Sequence, residues 1–254
     1  MAAESVANIE RQAAETPQQM FLPGMHEFMR AMPNHLARSS LFVPIGKGNL
    51  HDGSILVSRP GAEIRFKGKQ LDEAQADVWM QCMKEAQRQP LGTPVVINRS
   101  AFLREIGRKK SGQAYKWLHS TMQDLAFAML VIKVTSMDGQ PKLSIGNTRA
   151  LHMIAGFDYD EEAEAYTFTI DPRWPIMYEN REFALIDWGK RMKFGRNQHM
   201  AKTLQRLLAT SNEPIQRYAL DWLKAKMGYT SPMRKFRDAL SVACVELKRL
   251  GPAP

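Results

Sequence analysis

The segment SPMRKFRDALSVACVELKRLG, residues 231–251, constrains the fold more than any other stretch of the chain. Ser231 is a preferred N-cap residue and Pro232 suits the first helical position, so we predict that a long helix starts there. Its apolar residues recur at the spacing that faces a core. They are Phe236, Leu240, Ala243, Cys244, Leu247 and Leu250. The segment is therefore predicted to be an amphipathic helix packed on one side.

A shorter helix is predicted just before it, in QRYALDWLKAKMGYTS, residues 216–231. Its inward face holds Leu220, Leu223 and Met227, and Gly228 ends it. A short helix, a glycine turn and a longer helix with basic first turns are typical of a helix-turn-helix. The second helix of such a motif enters the major groove of DNA, so the sequence favours a DNA-binding unit.

The exposed stripe of the long helix is Arg234, Arg237, Ser241 and Lys248, with Lys235 beside it, and the predicted contacts are Ser231, Arg234, Lys235, Arg237 and Ser241. Arginine donates two parallel hydrogen bonds to guanine, so Arg234 and Arg237 are predicted to contact bases. Ser231 and Lys235 suit phosphates, and Ser241 completes the predicted site. The alternative is the solvated face that any surface helix needs.

The distribution of charge supports DNA binding. The chain carries a net charge of +9, and residues 189–251 hold 14 Lys/Arg against 4 Asp/Glu, whereas residues 135–188 hold 4 against 10. Clustered positive charge of this kind is the electrostatic footprint of a nucleic-acid binder. A protein that is merely basic remains the alternative.

An earlier part of the chain repeats this order of elements. We predict an amphipathic helix over residues 72–88, a strand at VVIN, a helix at SAFLREIG capped by Ser100, the basic turn RKKSG, and a helix over residues 113–126. A β-hairpin of FAMLVIKVT and PKLSIG around Asp138-Gly139 follows, and an acidic tip, DYDEEAEA, and a strand, YTFTI, close the unit. This order is that of a winged helix-turn-helix.

The predicted DNA contacts of this first unit are Lys109, Lys110, Lys116 and His119, with Ser120 and Gln123 on the same helix face. A winged helix also serves as a dimerisation module, and the exposed hairpin strands suit pairing, so that alternative stays open.

The predicted fold is therefore α+β, with tandem winged-helix domains. A flexible arm covers residues 1–28, the first winged-helix domain covers 29–172, and the second, for DNA recognition, covers 173–254. The chain reaches GPAP where a second wing would start, so we expect that wing to be absent.

Enzymatic functions are disfavoured. The six histidines lack metal-ligand spacing, and no GxxxxGK[ST] phosphate loop occurs, so we expect no catalytic residue, metal or cofactor. Neither a secretory signal nor a membrane-length apolar run is present, and we expect a cytoplasmic protein without membrane contact. Cys82 and Cys244 are both expected to be small buried hydrophobes of a reducing compartment.

The segment MRAMPNHLARSSLF, residues 29–42, resembles the start of the core domain of the TrfA family of plasmid replication initiators. The likeness continues through VWMQCMKEAQRQPLGTPV, SAFLREIG and RKFRDALSVACVELKRLG, and so spans about residues 29–251. From the residues alone, Leu41 and Phe42 are expected to anchor this segment in the core. Arg30 and Arg38 suit either phosphate or a structural role, and both alternatives stay open.

The resemblance implies a non-enzymatic initiator that binds direct repeats (iterons) of double-stranded DNA at a plasmid origin. It implies melting of an adjacent A·T-rich element, recruitment of the host helicase, initiator and sliding clamp, and a monomer–dimer equilibrium. The family's clamp-binding motif has a loose counterpart in QQMFL, where Gln18, Met20 and Phe21 would contact the clamp. The alternative function is a winged-helix transcriptional repressor, and a less favoured one is a protein-interaction module that binds no DNA.

Overall fold

The computed structural model describes residues 29–46, 48–88, 92–136, 140–146, 150–195 and 197–251 of the 254-residue chain. Helices and strands both contribute to the core of this part, which confirms the predicted α+β class. The predicted arm with Gln18, Met20 and Phe21 lies outside the described residues. So do the hairpin tip at Asp138-Gly139 and the place of the expected missing wing beyond Gly251.

The strands are β1 (Met29–Pro33), β2 (Phe42–Val43), β3 (Leu50–Ile55), β4 (Ala62–Lys69), β5 (Leu71–Asp72), β6 (Val95–Asn98), β7 (Met129–Thr135), β8 (Pro141–Ile145), β9 (Leu151–His152), β10 (Gly156–Asp160), β11 (Ala165–Thr169) and β12 (Phe183–Asp187). The α-helices are α1 (Asn34–Ala37), α2 (Glu73–Ala86), α3 (Arg99–Glu105), α4 (Gly112–Phe127), α5 (Trp188–Met192), α6 (His199–Leu208), α7 (Leu220–Lys226) and α8 (Met233–Arg249), and a 3₁₀ helix covers Trp174–Arg181.

The largest sheet has the antiparallel order β3-β4-β7-β8, with β9 also pairing with β7. A three-stranded antiparallel sheet has the order β10-β11-β6. The predicted hairpin of β7 and β8 is confirmed, but the hairpin that hydrogen-bonds to β6 is β10–β11. Local periodicity identifies strands without identifying their partners, so the sequence could not distinguish the two hairpins.

Helix α2 is the centre of the first core. The Asp72 side chain accepts hydrogen bonds from the Ala74 and Gln75 backbones, and the Gln75 side chain accepts one from the Asp72 backbone, which makes a capping box. The predicted apolar face, including Trp79 and Cys82, is buried. The opposite face is also buried although it is polar, so its side chains require partners from other elements.

Two clusters of buried apolar side chains divide the chain. The first runs from Ala31 to Trp188 and the second from Phe194 to Ala243. The sequence places the boundary between residues 172 and 173. Packing divides the chain further along, because β12 pairs antiparallel with β1 and so belongs with the first cluster.

The second cluster is formed by α6, α7 and α8. Leu207, Leu223 and Phe236 are buried at its centre, and Gly228 ends α7 with a φ of 59°. The predicted short and long helices are therefore confirmed, with the short turn between them.

Three local expectations are wrong. The N-cap of α3 is Asn98, whose side chain accepts hydrogen bonds from the Ser100 and Ala101 backbones, so Ser100 lies inside the helix. Helix α8 follows Pro232 without a side-chain cap, so Ser231 is not its N-cap. Cys244 is exposed, because α8 packs along a narrower stripe than its apolar residues suggest; Cys82 is buried as expected.

The segment of residues 30–42 belongs to the first cluster and reaches the helices of the second through Arg38. Leu41 and Phe42 are fully buried, as expected. The Arg30 guanidinium donates to Gln81 Oε1 at 2.7 and 2.9 Å and lies 4.7 Å from the Trp188 ring centre. Arg38 donates to the hydroxyl and the carbonyl oxygen of Thr210 at 2.8 and 2.9 Å. Both arginines therefore make structural contacts, and those of Arg38 join the two clusters.

Candidate nucleic-acid interface

Helix α8 presents the predicted basic stripe to solvent. Arg234, Lys235, Arg237 and Ser241 are exposed, and Ser231 is half-buried just before the helix. Within the described residues, the side chains of the three basic residues make no hydrogen bond or ion pair. Residues three and four positions apart share one side of a helix, so the two arginines and Ser241 lie on one surface. Their donors are available to an external acceptor.

Exposed apolar residues, which the sequence analysis did not predict, extend this surface along the C-terminal half of α8. Cys244 lies seven residues, or about two helical turns, beyond Arg237 and so shares its face. Val242 and Val245 are 59% and 69% exposed, and they share the sides of Lys235 and Arg234, which lie seven and eleven residues before them, respectively. Apolar side chains on a helix in the major groove can contact thymine methyl groups. The exposed surface of α8 is therefore basic in its first turns and apolar further along.

A second basic surface lies at the turn between α3 and α4. Lys109 and Lys110 are exposed there, while the Arg108 guanidinium lies 3.3 Å from the Trp117 ring centre. Ser111 caps α4 by accepting a hydrogen bond from the Ala114 backbone at 3.1 Å. Exposed residues of α4 extend this surface, namely Lys116, Ser120 and Gln123.

His119 lies apart from that exposed set. It is half-buried and packs against the hairpin of β10 and β11, with ring centres 5.5 Å from Phe157, 5.9 Å from Tyr159 and 6.0 Å from Tyr166. Burial and the neighbouring Tyr159 raise the pKa of Tyr166 to about 12. His119 thus lies beneath the hairpin. Of the predicted contacts of the first unit, only Lys109, Lys110 and Lys116 lie on the exposed surface.

The turn joining β10 to β11 is acidic and exposed, as expected for DYDEEAEA. Glu161 and Glu162 are exposed, and Glu164 pairs with Arg99 at 2.5 Å. Arg99 in turn lies 4.1 Å from the Tyr115 ring centre on α4. Carboxylates at this tip repel phosphate. The hairpin tip is therefore chemically unsuited to the DNA backbone.

A fully buried carboxylate joins the two clusters behind these surfaces. Glu73 of α2 accepts hydrogen bonds from Arg191 of α5 at 2.6 Å, from Arg206 of α6 at 2.8 and 3.2 Å, and from the Thr203 hydroxyl at 2.9 Å. Burial alone would raise the pKa of Glu73, but Arg206 and Arg191 outweigh it and hold the pKa well below its usual range. Glu73, Arg191 and Arg206 are called the junction cluster below.

Further bonds surround the junction cluster. Asp77 pairs with Arg191 and with Lys202 at 2.5 and 2.6 Å, and Arg206 also donates to the Phe42 carbonyl at 3.0 Å. Lys226 of α7 is fully buried and donates to the Ser39 carbonyl at 3.1 Å, and burial lowers its pKa well below the usual value. Sequence reasoning missed these residues because basic side chains on helices are ordinarily solvated.

No group of three or more His, Cys, Asp or Glu side chains among the described residues could hold a metal ion. In the same part of the chain, no helix combines the length and apolarity that crossing a bilayer requires.

The chain belongs to the TrfA protein family, whose model matches residues 11–253. It is 22% identical over 229 residues to the plasmid replication initiator protein TrfA of Escherichia coli, an alignment that covers 88% of this chain and 58% of that protein. The chain thus spans somewhat over half the length of this curated relative. Its fold is similar to domains 2 and 3 of RctB, with a TM-score of 0.55 at 14% identity, covering 88% of this chain and 86% of the other.

Proposed function

We propose that this chain is the DNA-binding part of a plasmid replication initiator and recognises double-stranded direct repeats at an origin. Its family, and its similarity to a plasmid replication initiator protein, support this role. The observation that carries the proposal is the exposed basic surface of α8, where the side chains of Arg234 and Arg237 have no partner within the described residues.

Helix α8 would insert its first turns into the major groove. Arg234 and Arg237 would donate bidentate hydrogen bonds to guanine edges, while Lys235 and Ser231 would contact phosphates. Ser241 and the apolar residues beyond it would lie deeper along the groove, where Val242 and Val245 suit thymine methyl groups. A helix-turn-helix of α7 and α8 thus supplies direct readout of sequence.

The first unit would contribute sequence-independent contacts. The order α2, β6, α3, α4 and a hairpin that pairs with β6 is the order of a winged helix, and it supports tandem winged-helix domains. Lys109, Lys110 and Lys116 would neutralise phosphates. We assign His119 to supporting the β10–β11 hairpin, because it packs against that hairpin, and we assign no phosphate contact to the acidic hairpin tip.

Origin melting, recruitment of the host helicase and initiator, and a monomer–dimer equilibrium follow from the family relationship as parts of the proposal. Contact with a sliding clamp would use Gln18, Met20 and Phe21, in a segment that the structure does not describe.

The test is plasmid maintenance. A circle that cannot otherwise replicate is supplied with this gene and a candidate origin bearing direct repeats. We expect stable inheritance with the wild-type gene and loss with the Arg234→Ala/Arg237→Ala double variant, while Arg65→Ala, at an exposed ion pair on β4, retains inheritance. A transcriptional repressor would bind the repeats without sustaining the circle, and that result would contradict the proposal.

A further inference from the structure

Helices α4 and α8, which carry the two surfaces proposed to bind DNA, belong to different buried clusters. Buried polar bonds nevertheless connect these clusters at several points. The junction cluster ties α2 to α5 and α6, with Glu73, Arg191 and Arg206 all shielded from solvent. Lys226 ties α7 to the Ser39 carbonyl. Helix α8 packs on α6, and Leu207 and Phe236 share the second core. The orientation of α8 is therefore coupled to α2, and through the first core to α4.

The junction cluster restricts the relative position of the helices more strongly than an apolar contact does. A carboxylate between two guanidinium groups is satisfied in one arrangement only, because a shift of either helix leaves a buried charge without its partner. Apolar side chains can slide over each other at smaller cost. The buried charges therefore oppose any relative rotation of the two units.

Duplex DNA is sensitive to such a rotation. One base pair advances the helix by about 3.4 Å and turns it by about 35°, since a turn takes about 10–10.5 base pairs. Two contact surfaces held rigidly can both engage a site only when their targets are separated by the matching number of base pairs. A loosened pair of units tolerates other separations.

We propose that Glu73, with Arg191 and Arg206, determines the spacing that the protein accepts between the base pairs read by α8 and the backbone segment held by the first unit. Glu73 acts as a positioning residue, because it is buried and touches no DNA. This inference rests on the proposed function, since it requires both surfaces to bind one duplex.

The experiment uses the whole chain and a duplex that it selects from a random pool. Footprinting defines the two protected segments, and one base pair is then inserted or deleted at their border. Affinities for the parent and altered duplexes are measured for the wild type, Glu73→Gln and Lys226→Met. The control is Glu63→Gln, which removes one carboxylate from the exposed ion pair with Arg65. Near-ultraviolet circular dichroism checks that each variant is folded.

We expect the wild type and Glu63→Gln to bind the parent duplex about tenfold or more tightly than the altered ones. In Glu73→Gln, the ratio of the affinity for the parent duplex to that for the altered duplexes should fall to about threefold or less. The variant should bind the parent duplex more weakly than the wild type does, and the altered duplexes almost as tightly. Lys226→Met should act in the same direction. Methionine fills the site of Lys226 without the cost of burying an ammonium group, so this variant is expected to fold. Lys226→Met therefore still tests the inference if Glu73→Gln does not fold.

Two results would overturn this inference without affecting the proposed function. One is a wild type that binds the parent and altered duplexes with equal affinity. The other is that Glu73→Gln and Lys226→Met fold but keep the wild-type ratio of affinities for the parent and altered duplexes. A pool that yields no enriched duplex would contradict the proposed function as well, so the two failures are distinguishable.

Discussion

Arg206 and Glu73 lie 133 positions apart in sequence, but their Nη2 and Oε2 atoms are 2.8 Å apart and neither side chain is exposed to solvent. The pair joins a helix of the second buried cluster to the capped helix at the centre of the first. The two units therefore form one continuous structure, in which the surfaces proposed to bind DNA are not independent.

Removal of the buried carboxylate should destabilise the whole chain. We expect Glu73→Ala to lower the free energy of unfolding by about 3–5 kcal/mol, because the buried guanidinium groups of Arg206 and Arg191 both lose a counter-charge. Urea denaturation measures the change. The exposed control Glu63→Ala should cost at most about 1 kcal/mol. Equal effects of the two substitutions would mean that the junction cluster contributes no special stability.

Base recognition by α8 should depend on its two arginines. Arg234→Ala or Arg237→Ala should each weaken binding to the selected repeat by about 1–3 kcal/mol and relax the preference at one base pair. Fluorescence anisotropy on the repeat and its single-base variants measures both effects. Arg65→Ala should change neither, and unaltered affinity in both α8 variants would refute the assigned contacts.

The turn before α4 should contribute only electrostatically. Each lysine that neutralises a phosphate adds about 0.9 to the slope of log affinity against log salt concentration. Lys109→Ala/Lys110→Ala should therefore reduce the slope by about 2 and weaken specific and non-specific duplexes alike. A change confined to the specific duplex would indicate base contacts, and an unchanged slope would exclude this turn from the interface.

Thiol reactivity should report the position of α8 on DNA. Cys244 is exposed on the same helix face as Arg237, whereas Cys82 is buried and burial raises the pKa of its thiol. A thiol reagent should therefore modify Cys244 in the folded chain and both cysteines after unfolding. The selected duplex should slow the modification of Cys244. Equal rates with and without bound duplex would place the last turns of α8 outside the interface.

Stability should fall as the medium is acidified through the range in which His35 titrates. Burial, followed by the nearby Arg59, lowers the pKa of His35 to about 4. The unfolded chain therefore binds the proton first, and the free energy of unfolding should decrease by about 3 kcal/mol between pH about 6.5 and 4. His35→Gln, which keeps a donor for Glu182, should flatten this part of the profile in urea titrations at successive pH values.

The decrease caused by His35 is separable from that of the carboxylates. Glu182 and Glu73 have pKa values below their usual range, so the stability they contribute is present above pH about 4.5 and is lost at lower pH. An unchanged slope between pH about 6.5 and 4 in His35→Gln would show that other groups cause the decrease.

Helix periodicity and glycine stops sufficed to predict the elements of the candidate site, because α4, α7 and α8 depend on local spacing and local backbone conformation. The pairing of β10–β11 with β6 and of β1 with β12 depends on contacts distant in sequence, which local periodicity does not encode. In the sequence, the buried polar face of α2 has the pattern of a solvated face. Its burial could not be predicted, because the hydrogen-bond partners of Glu73 and Asp77 lie more than 100 positions away in the chain. Cys244 was misassigned because an apolar residue beside a core stripe is exposed when no second layer covers it.

The central claim, sequence-specific duplex binding through α8, is tested most directly by one comparison of affinities. The wild-type chain is titrated at physiological salt with the origin repeat and with a duplex of the same composition in scrambled order. We predict that the repeat binds about 10³-fold or more tightly, and that Arg234→Ala/Arg237→Ala removes most of this difference. Equal affinity of the wild type for the two duplexes would contradict the account.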